Sequence, residues 1–79
     1  MYYVYVLRSL KDKKLYIGST EDLKRRYKEH INSKVESTKQ RMPLEILFYE
    51  AYQIKSIAQR REKYLKSSDG HKDIHRRLK

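Results

Sequence analysis

Residues 2–18, YYVYVLRSLKDKKLYIG, decide the fold of this chain. The run YYVYVL at 2–7 is rich in tyrosine and valine, which favour strands, and LYIG at 15–18 predicts a second, shorter strand. The polar residues between these runs are typical of a turn, so the stretch predicts a β-hairpin with a long loop. Alternate residues of a strand share a face, and the first strand therefore has two faces. One face carries Tyr3, Tyr5 and Leu7, and the other carries Tyr2, Val4 and Val6.

A helix pattern follows the hairpin, because apolar residues recur there at intervals of four. These residues are Leu23, Tyr27 and Ile31. Ser19 or Thr20 is predicted to cap the helix, with the acidic residues at 21–22 in its first turn. The helix is predicted to end near Asn32.

The second half of the chain predicts one more strand and one more helix. A polar connection at 33–43 leads to LEILFYEAY at 44–52, which predicts a third strand. A second helix is predicted from about residue 55 to 66, and the residues at 67–70 are predicted to break it. The tail at 71–79 is predicted to form one or two helical turns.

The resulting order, β-β-α-β-α with a possible terminal helix, predicts a single α+β domain over residues 1–79. Its architecture is a small three-stranded antiparallel sheet flanked by helices. Six residues are expected to lie largely inside. They are Tyr5, Ile17, Leu23, Phe48, Ile57 and Leu65.

Charge is the strongest compositional feature of the chain. Twenty Lys+Arg oppose ten Asp+Glu, a formal net charge of +10 on 79 residues, and eight of the nine aromatic residues are tyrosine. A basic surface interleaved with tyrosine favours a polyanionic partner, and nucleic acid is the favoured one. An anionic membrane surface and a basic surface without a partner are the alternatives.

Several classes of protein are excluded by the composition. No apolar run approaches the ~20 residues that span a bilayer, and the N-terminal segment has no pattern typical of a cleaved secretion signal. The absence of cysteine excludes disulfide scaffolds and thiolate zinc sites. It also fits a cytoplasmic protein. With only two glycines, the chain has no phosphate-cradling glycine-rich loop.

Glu62 is the first candidate functional residue, because it borders the apolar stripe of the second predicted helix. A carboxylate there either pairs with a base or faces a cation. The plain structural alternative is an intrahelical pair with Lys66, four residues on, which would stabilise the helix by only ~0.3–0.5 kcal/mol.

Two further pairs of candidates lie on the first helix and in the hairpin. Arg26 and His30 are four residues apart and share a helix face, where a guanidinium and an imidazole can hold a phosphate. Tyr5 and Tyr16 lie in adjacent arms of the hairpin, and a phenol near phosphate can donate a hydrogen bond or, if ionised, accept a proton. The alternatives are a polar helix edge for the first pair and ordinary packing within a sheet for the second.

Taken in order, these segments resemble the GIY-YIG nuclease superfamily. YVY at 3–5 and YIG at 16–18, with ten residues between them, resemble the paired tripeptides that name the superfamily. YIGSTEDLKRRYKEH, RMPLEILFYE and SIAQRREKYLK (16–30, 41–50 and 56–66) resemble segments of its small single-domain bacterial members. Four such segments in the right order are a specific pattern that covers residues 2–66.

The resemblance implies a metal-dependent endonuclease that hydrolyses DNA phosphodiester bonds with Mg²⁺ or Mn²⁺, in DNA repair or processing. It implies that Tyr5 is the general base or its relay and that Tyr16 helps to hold the attacking water or the phosphate. Arg26 matches the arginine that neutralises the scissile phosphate, and His30 matches a position held by His or Tyr. Glu62 matches the glutamate that ligates the metal.

Two departures from the family pattern keep an alternative open. Tyr3 stands where the first tripeptide has glycine, and no asparagine follows Asn32, whereas larger members have one beyond the glutamate. The alternative is a nucleic-acid-binding module of the same fold with weak or no catalysis. A small basic ribosome-associated protein would explain the charge but not the tyrosine, arginine and glutamate set. No second recognition domain is evident, so cleavage is expected to be structure-selective or nonspecific.

Overall fold

A computed structural model describes residues 1–32, 34–35 and 38–78 of the chain. It contains three strands and three helices in the order β-β-α-β-α-α, which confirms the predicted α+β architecture. A short 3₁₀ turn precedes the third strand. The elements are β1 (Tyr2–Ser9), β2 (Leu15–Thr20), α1 (Leu23–Ile31), the 3₁₀ turn (Lys39–Arg41), β3 (Leu44–Tyr52), α2 (Lys55–Leu65) and α3 (Ser68–Arg77).

The three strands form one antiparallel sheet with β1 in the centre, in the order β2-β1-β3. Tyr5 on the central strand pairs with Gly18 on β2 and with Tyr49 on β3. The register between β1 and β3 shifts after Val6. The hairpin predicted from residues 2–18 is therefore present, and both of its strands extend further than predicted.

Each face of the sheet supports its own apolar cluster, because successive side chains of β1 point to opposite sides. On one face, α2 and α3 cover Val4 and Val6. On the other face, α1 lies over Tyr5 and Leu7. The residues that the helices contribute are Ala58, Leu65 and Ile74 on the first face, and Leu23 and Tyr27 on the second. The division of β1 into two faces agrees with the predicted alternation.

The start of α1 differs from the prediction. Ser19 and Thr20 belong to β2, and the helix is capped by Asp22, whose carboxylate accepts a hydrogen bond from the backbone N–H of Arg25 at 3.0 Å. The strand continues because pairing with β1 extends as far as Thr20. The prediction that Ser19 or Thr20 caps the helix and that Asp22 lies in its first turn is therefore wrong.

The predicted break after the second helix is present, since α2 ends at Leu65 and α3 begins at Ser68, but it is shorter than the predicted 67–70. The side chain of Ser67 caps α3 by accepting from the N–H of Gly70 at 3.2 Å, and α3 runs for ten residues. A Cβ on Gly70 would overlap the backbone of Tyr64 and Leu65. Glycine thus lets α3 pack directly on the end of α2. The terminal helix is therefore longer than the one or two turns predicted.

The predicted interior is correct in part. Tyr5 and Leu65 are buried, and Ile17, Leu23 and Phe48 are half-buried. Ile57 is 41% exposed, so its predicted burial is wrong. The side chains that α2 buries are seven residues apart, at positions 58 and 65, and Ile57 is rotated about 100° away from that line. No helix in the described part of the chain is long and apolar enough to cross a membrane.

Candidate active site

An open cleft of about 250 Å³ lies beside β2, between the end of α1 and the side of α2. Gly18, Ser19, Val35 and Lys66 contribute to its lining. All five residues that were predicted to form a site line the same cleft. They are Tyr5, Tyr16, Arg26, His30 and Glu62. Four separate elements, β1, β2, α1 and α2, and a loop are therefore needed to form this surface.

Tyr5 is the most central of these side chains. It projects from the middle strand towards α1 and is only 4% exposed. Its hydroxyl lies 3.1 Å from Nε2 of His30 and accepts a hydrogen bond of 3.4 Å from Nε of Arg26. The Tyr5 and His30 rings also meet edge to face. The phenol oxygen therefore contacts a cation and an imidazole at the inner end of the cleft.

His30 lies in the last turn of α1 and is 3% exposed. Its second ring nitrogen, Nδ1, is 2.9 Å from Oγ1 of Thr38. Burial lowers the pKa of His30, and the positive charge of Arg26 lowers it further against a smaller opposing effect of Glu29. The imidazole is therefore neutral near pH 7 and can accept a proton.

Arg26 lies one helical turn before His30 and reaches the same part of the cleft. Its guanidinium donates to Tyr5 through Nε and to Glu29 through Nη1, the latter at 3.2 Å. The hydrogen bond to Tyr5 is the main effect that raises the pKa of Arg26. The side chain is 40% exposed. A fixed positive charge is therefore accessible at the cleft, where it can bind a phosphate.

Glu62 enters the cleft from α2, on the opposite wall. Its Oε1 accepts from the Ser19 hydroxyl at 2.6 Å, and its Oε2 pairs with Nζ of Lys66 at 2.8 Å. Burial alone would raise the pKa of Glu62, but the hydrogen bonds from Lys66 and Ser19 more than offset it and lower the pKa. The carboxylate is ionised, and the intrahelical pair and the cleft-facing position predicted as alternatives are both present.

The donor set around Glu62 fits a hard divalent cation. Among the residues that the structure describes, no three metal-type ligands (His, Cys, Asp or Glu) cluster together. Mg²⁺ is commonly held by one or two carboxylates, with water and substrate phosphate oxygens completing its coordination. A single ionised carboxylate facing an open cleft meets this requirement, so Glu62 is the residue that would hold the ion.

Tyr16 forms part of the rim of the cleft. It lies on β2 opposite Leu7, and the guanidinium of Arg41 is 5.3 Å from the centre of its ring. The two tyrosines predicted to act together therefore occupy different depths. Tyr5 lies inside the cleft, and Tyr16 is the more exposed.

A larger groove, of about 500 Å³, lies on the β3 side of α1 and contains none of the predicted site residues. Its walls include Tyr3, Ile46 and Tyr49, and its rim carries the acidic residues Glu21 and Asp22. Lys24 also lines this groove. The smaller cleft is the candidate site, since it combines a cation, an imidazole and an ionised carboxylate.

Two residues that contact the candidate site residues were not identified from the sequence. Ser19 was expected to cap a helix, but it donates to Glu62 across the interface between β2 and α2. Thr38 lies in the polar connection and is fully buried against His30. Neither position carries a periodic or motif signal, so only the tertiary structure identifies them.

Comparison with known proteins agrees with the fold. The model of the GIY-YIG catalytic domain family matches residues 1–79. The UPF0213 protein CPE1444 of Clostridium perfringens is 40% identical over 67 residues, which are 84% of this chain and 71% of that protein. The UPF0213 protein SpyM3_1077 of Streptococcus pyogenes is 40% identical over 65 residues, 81% of this chain and 70% of its own length.

A solved structure shows the same architecture. The solution NMR structure of the UPF0213 protein BH0048 from Bacillus halodurans is 35% identical and has a TM-score of 0.59, and the match covers 100% of this chain and 86% of that one. The family match spans every element that forms the cleft. The chain therefore belongs to the GIY-YIG catalytic domain family, a family of nuclease-type hydrolases.

Proposed function

We propose that this protein is a divalent-metal-dependent endonuclease that hydrolyses phosphodiester bonds in DNA. The observation that carries the proposal is the contact of the Tyr5 hydroxyl with both His30 and Arg26, in a cleft whose opposite wall presents Glu62. This arrangement combines a proton acceptor, a fixed cation and an ionised carboxylate. Hydrolysis of a phosphodiester needs an activated water, neutralisation of charge on the phosphate and stabilisation of the leaving oxygen, and these three groups can supply them.

Each residue has a distinct role in the proposed reaction. Arg26 binds a non-bridging oxygen of the scissile phosphate and stabilises the charge that develops on it. Tyr5 accepts a proton from the attacking water, and Tyr16 orients the water or the phosphate from the rim. Glu62 would hold Mg²⁺ or Mn²⁺, which would supply Lewis-acid stabilisation of the phosphate and of the leaving oxygen.

The substrate proposal follows from charge and from the shape of the site. A net charge of +10 favours a polyanion, and the cleft is open enough to admit a backbone phosphate. We propose a single catalytic domain over residues 1–79 that acts in DNA repair or processing. Its cleavage is either selective for branched or nicked DNA or nonspecific. A cytoplasmic location remains a prediction of the sequence.

Nicking of a supercoiled plasmid and cleavage of branched DNA, with Mg²⁺ or Mn²⁺, test the proposal. Glu62→Gln is expected to abolish cleavage and leave metal-free DNA binding unchanged or slightly tighter. Glu45→Gln is the matched control, because Glu45 pairs with Arg8 and does not line the cleft. Equal loss of cleavage in both variants would contradict a specific role for Glu62.

Arginine substitutions distinguish a catalytic role from general electrostatic attraction of the protein to DNA. Arg26→Ala is expected to slow cleavage by removing ~3–4 kcal/mol of transition-state stabilisation. It is expected to weaken DNA binding only slightly. Arg25→Ala removes the same charge from an exposed neighbour and serves as the control.

Tyr5→Phe is expected to reduce turnover and to lower stability by about 1 kcal/mol, since the hydroxyl is hydrogen-bonded in the interior.

The second candidate function is a nucleic-acid-binding module with the same fold and little or no turnover. The absence of asparagine after Asn32 favours it. A purified protein that binds DNA but cleaves nothing with either metal would establish this alternative and overturn the endonuclease proposal.

A further inference from the structure

Thr38 is a buried polar residue outside every motif of the sequence. It is 0% exposed, and its hydroxyl oxygen lies 2.9 Å from Nδ1 of His30 and 3.4 Å from the backbone carbonyl oxygen of Val35. A hydroxyl that donates to the carbonyl three residues earlier is a common local arrangement for threonine. The same oxygen can then accept one further hydrogen bond.

The contacts assign the protons along this chain of groups. If Thr38 donates to Val35, its oxygen must accept from His30, which places the ring proton on Nδ1. Nε2 then has a free lone pair, and the Tyr5 hydroxyl, 3.1 Å away, donates to it. Arg26 in turn donates to the Tyr5 oxygen. Each of these protons has an acceptor among the described residues.

The opposite tautomer leaves one of these groups without a partner. With the proton on Nε2, both His30 and Arg26 would donate to the Tyr5 oxygen. The Tyr5 hydroxyl proton would then have no acceptor among its hydrogen-bond partners in the described part of the chain. In that tautomer the Tyr5 proton turns to water in the cleft, whereas in the Nδ1–H form it has an acceptor among the described residues.

We infer that Thr38 is a positioning residue, which fixes His30 as the Nδ1–H tautomer so that Nε2 accepts the hydroxyl proton of Tyr5. The catalytic consequence of this inference rests on the proposed endonuclease function. The tautomer itself is a property of the folded protein alone.

The consequence for the reaction is a two-proton relay. As the O–H bond of the attacking water breaks, its proton moves to the Tyr5 oxygen while the Tyr5 proton moves to Nε2 of His30. The water oxygen forms a bond to phosphorus as the bond from phosphorus to the leaving oxygen breaks, and the leaving oxygen takes a proton from solvent. His30 holds one proton as an imidazolium, and the proton returns through Tyr5 to solvent after the products leave. Tyr5 therefore need not ionise beforehand.

Nitrogen-15 NMR of the metal-free protein tests the tautomer directly. Long-range ¹H–¹⁵N correlation spectra distinguish protonated from unprotonated ring nitrogens, and His30→Gln assigns the resonances. We expect Nδ1 of His30 to be protonated in the parent and in Thr38→Ser, and the Nδ1–H form to be lost or mixed in Thr38→Val. A parent that shows the Nε2–H form would overturn the inference.

Cleavage kinetics test the consequence. Thr38→Val is expected to lower kcat by about 10–100-fold, the usual effect of removing a partner that orients a histidine, without a matching change in KM. Thr38→Ser is expected to retain most of kcat. If Thr38→Val is poorly folded, the parent spectrum and the serine variant still decide the question.

The two failures can be told apart. A parent that does not cleave DNA but shows the Nδ1–H form refutes the endonuclease proposal and supports the inference about Thr38. A parent that cleaves DNA, with a folded Thr38→Val variant that cleaves equally well, refutes the inference and leaves the endonuclease proposal standing.

Discussion

The aromatic side chain of Tyr5 lies directly over the Cα atom of Gly18 on the neighbouring strand. The two residues are paired across β1 and β2, and a Cβ built on Gly18 would lie 2.6 Å from Cζ of Tyr5 and closer still to its hydroxyl oxygen. The φ angle of Gly18 is not positive, so the backbone conformation does not require glycine at this position. The close approach of the Tyr5 side chain does require it. The last residue of the YIG tripeptide makes room for the last residue of the YVY tripeptide.

Gly18→Ala is therefore expected to displace Tyr5 from His30 and to lower both stability and cleavage. Overpacking at a buried contact is destabilising by about 1–3 kcal/mol. Urea unfolding of Gly18→Ala, Tyr5→Ala and the double variant measures the coupling between the two positions. Gly18→Ala should reduce the free energy of unfolding far less in the Tyr5→Ala background than in the parent. Equal reductions in both backgrounds would contradict the steric explanation.

His30 is expected to make the stability of the protein depend on pH. Its pKa in the folded protein is lowered, mainly by burial and also by the charge of Arg26. Between its folded pKa and the ordinary value near 6.5, the unfolded chain binds more protons than the folded one, so stability falls as pH decreases through this range. Urea unfolding at pH 7.5 and below pH 6 should show this loss, and His30→Gln should reduce it. An equal pH dependence in both proteins would contradict the assignment.

Lys66 is expected to compete with a metal ion for Glu62. Its ammonium group lies 2.8 Å from Oε2, one of the oxygens a divalent cation would use. Lys66→Met is therefore expected to tighten Mn²⁺ binding by up to about twofold, because an intrahelical pair stabilises by up to ~0.5 kcal/mol. Electron paramagnetic resonance of free Mn²⁺ measures the affinity without DNA. Lys63→Met, on the exposed side of α2, is the control, and equal effects would indicate a general change in charge.

Glu50 is expected to support stability without supporting catalysis. It accepts hydrogen bonds from Arg61 at 2.8 and 3.1 Å and from Tyr52 at 2.7 Å, and it lies away from the cleft. Burial opposes ionisation, but these bonds lower its pKa overall. The stability that the Glu50 carboxylate contributes is therefore fully present above its ordinary pKa of about 4.5. That stability is lost as pH falls through the lower pKa of Glu50 in the folded protein.

Glu50→Gln tests this role. It should reduce the free energy of unfolding at pH 7 by about 1–3 kcal/mol while cleavage at a temperature where the protein stays folded is unchanged. A large fall in cleavage by the folded variant would show that Glu50 belongs to the functional surface.

DNA binding is expected to be mainly electrostatic. If about 4–6 phosphates are contacted, the logarithm of the binding constant should fall with the logarithm of salt concentration at a slope of about −4 to −5. A fluorescence titration at several salt concentrations measures this slope. An affinity that does not change with salt would refute the assumption on which the substrate proposal rests.

The sequence by itself determined the order of the elements and the residue types of the site. The alternation in residues 2–7 predicted the two faces of β1, because the strand period of two is a local property. The spacing of Arg26 and His30 placed both on one helix face for the same reason. Glu62 and Tyr5 were candidates from their positions in the predicted helix and hairpin, and the resemblance to the GIY-YIG family supplied their expected roles.

Only the tertiary structure decided which groups touch. The contact of Ser19 with Glu62 spans 43 residues of sequence, and Thr38 lies in a polar connection with no periodic signal. The exposure of Ile57 and the length of the last helix also depended on how α2 and α3 pack against the sheet. Such contacts depend on the angles and distances between elements, which are set by side-chain packing over the whole domain and not by any one segment.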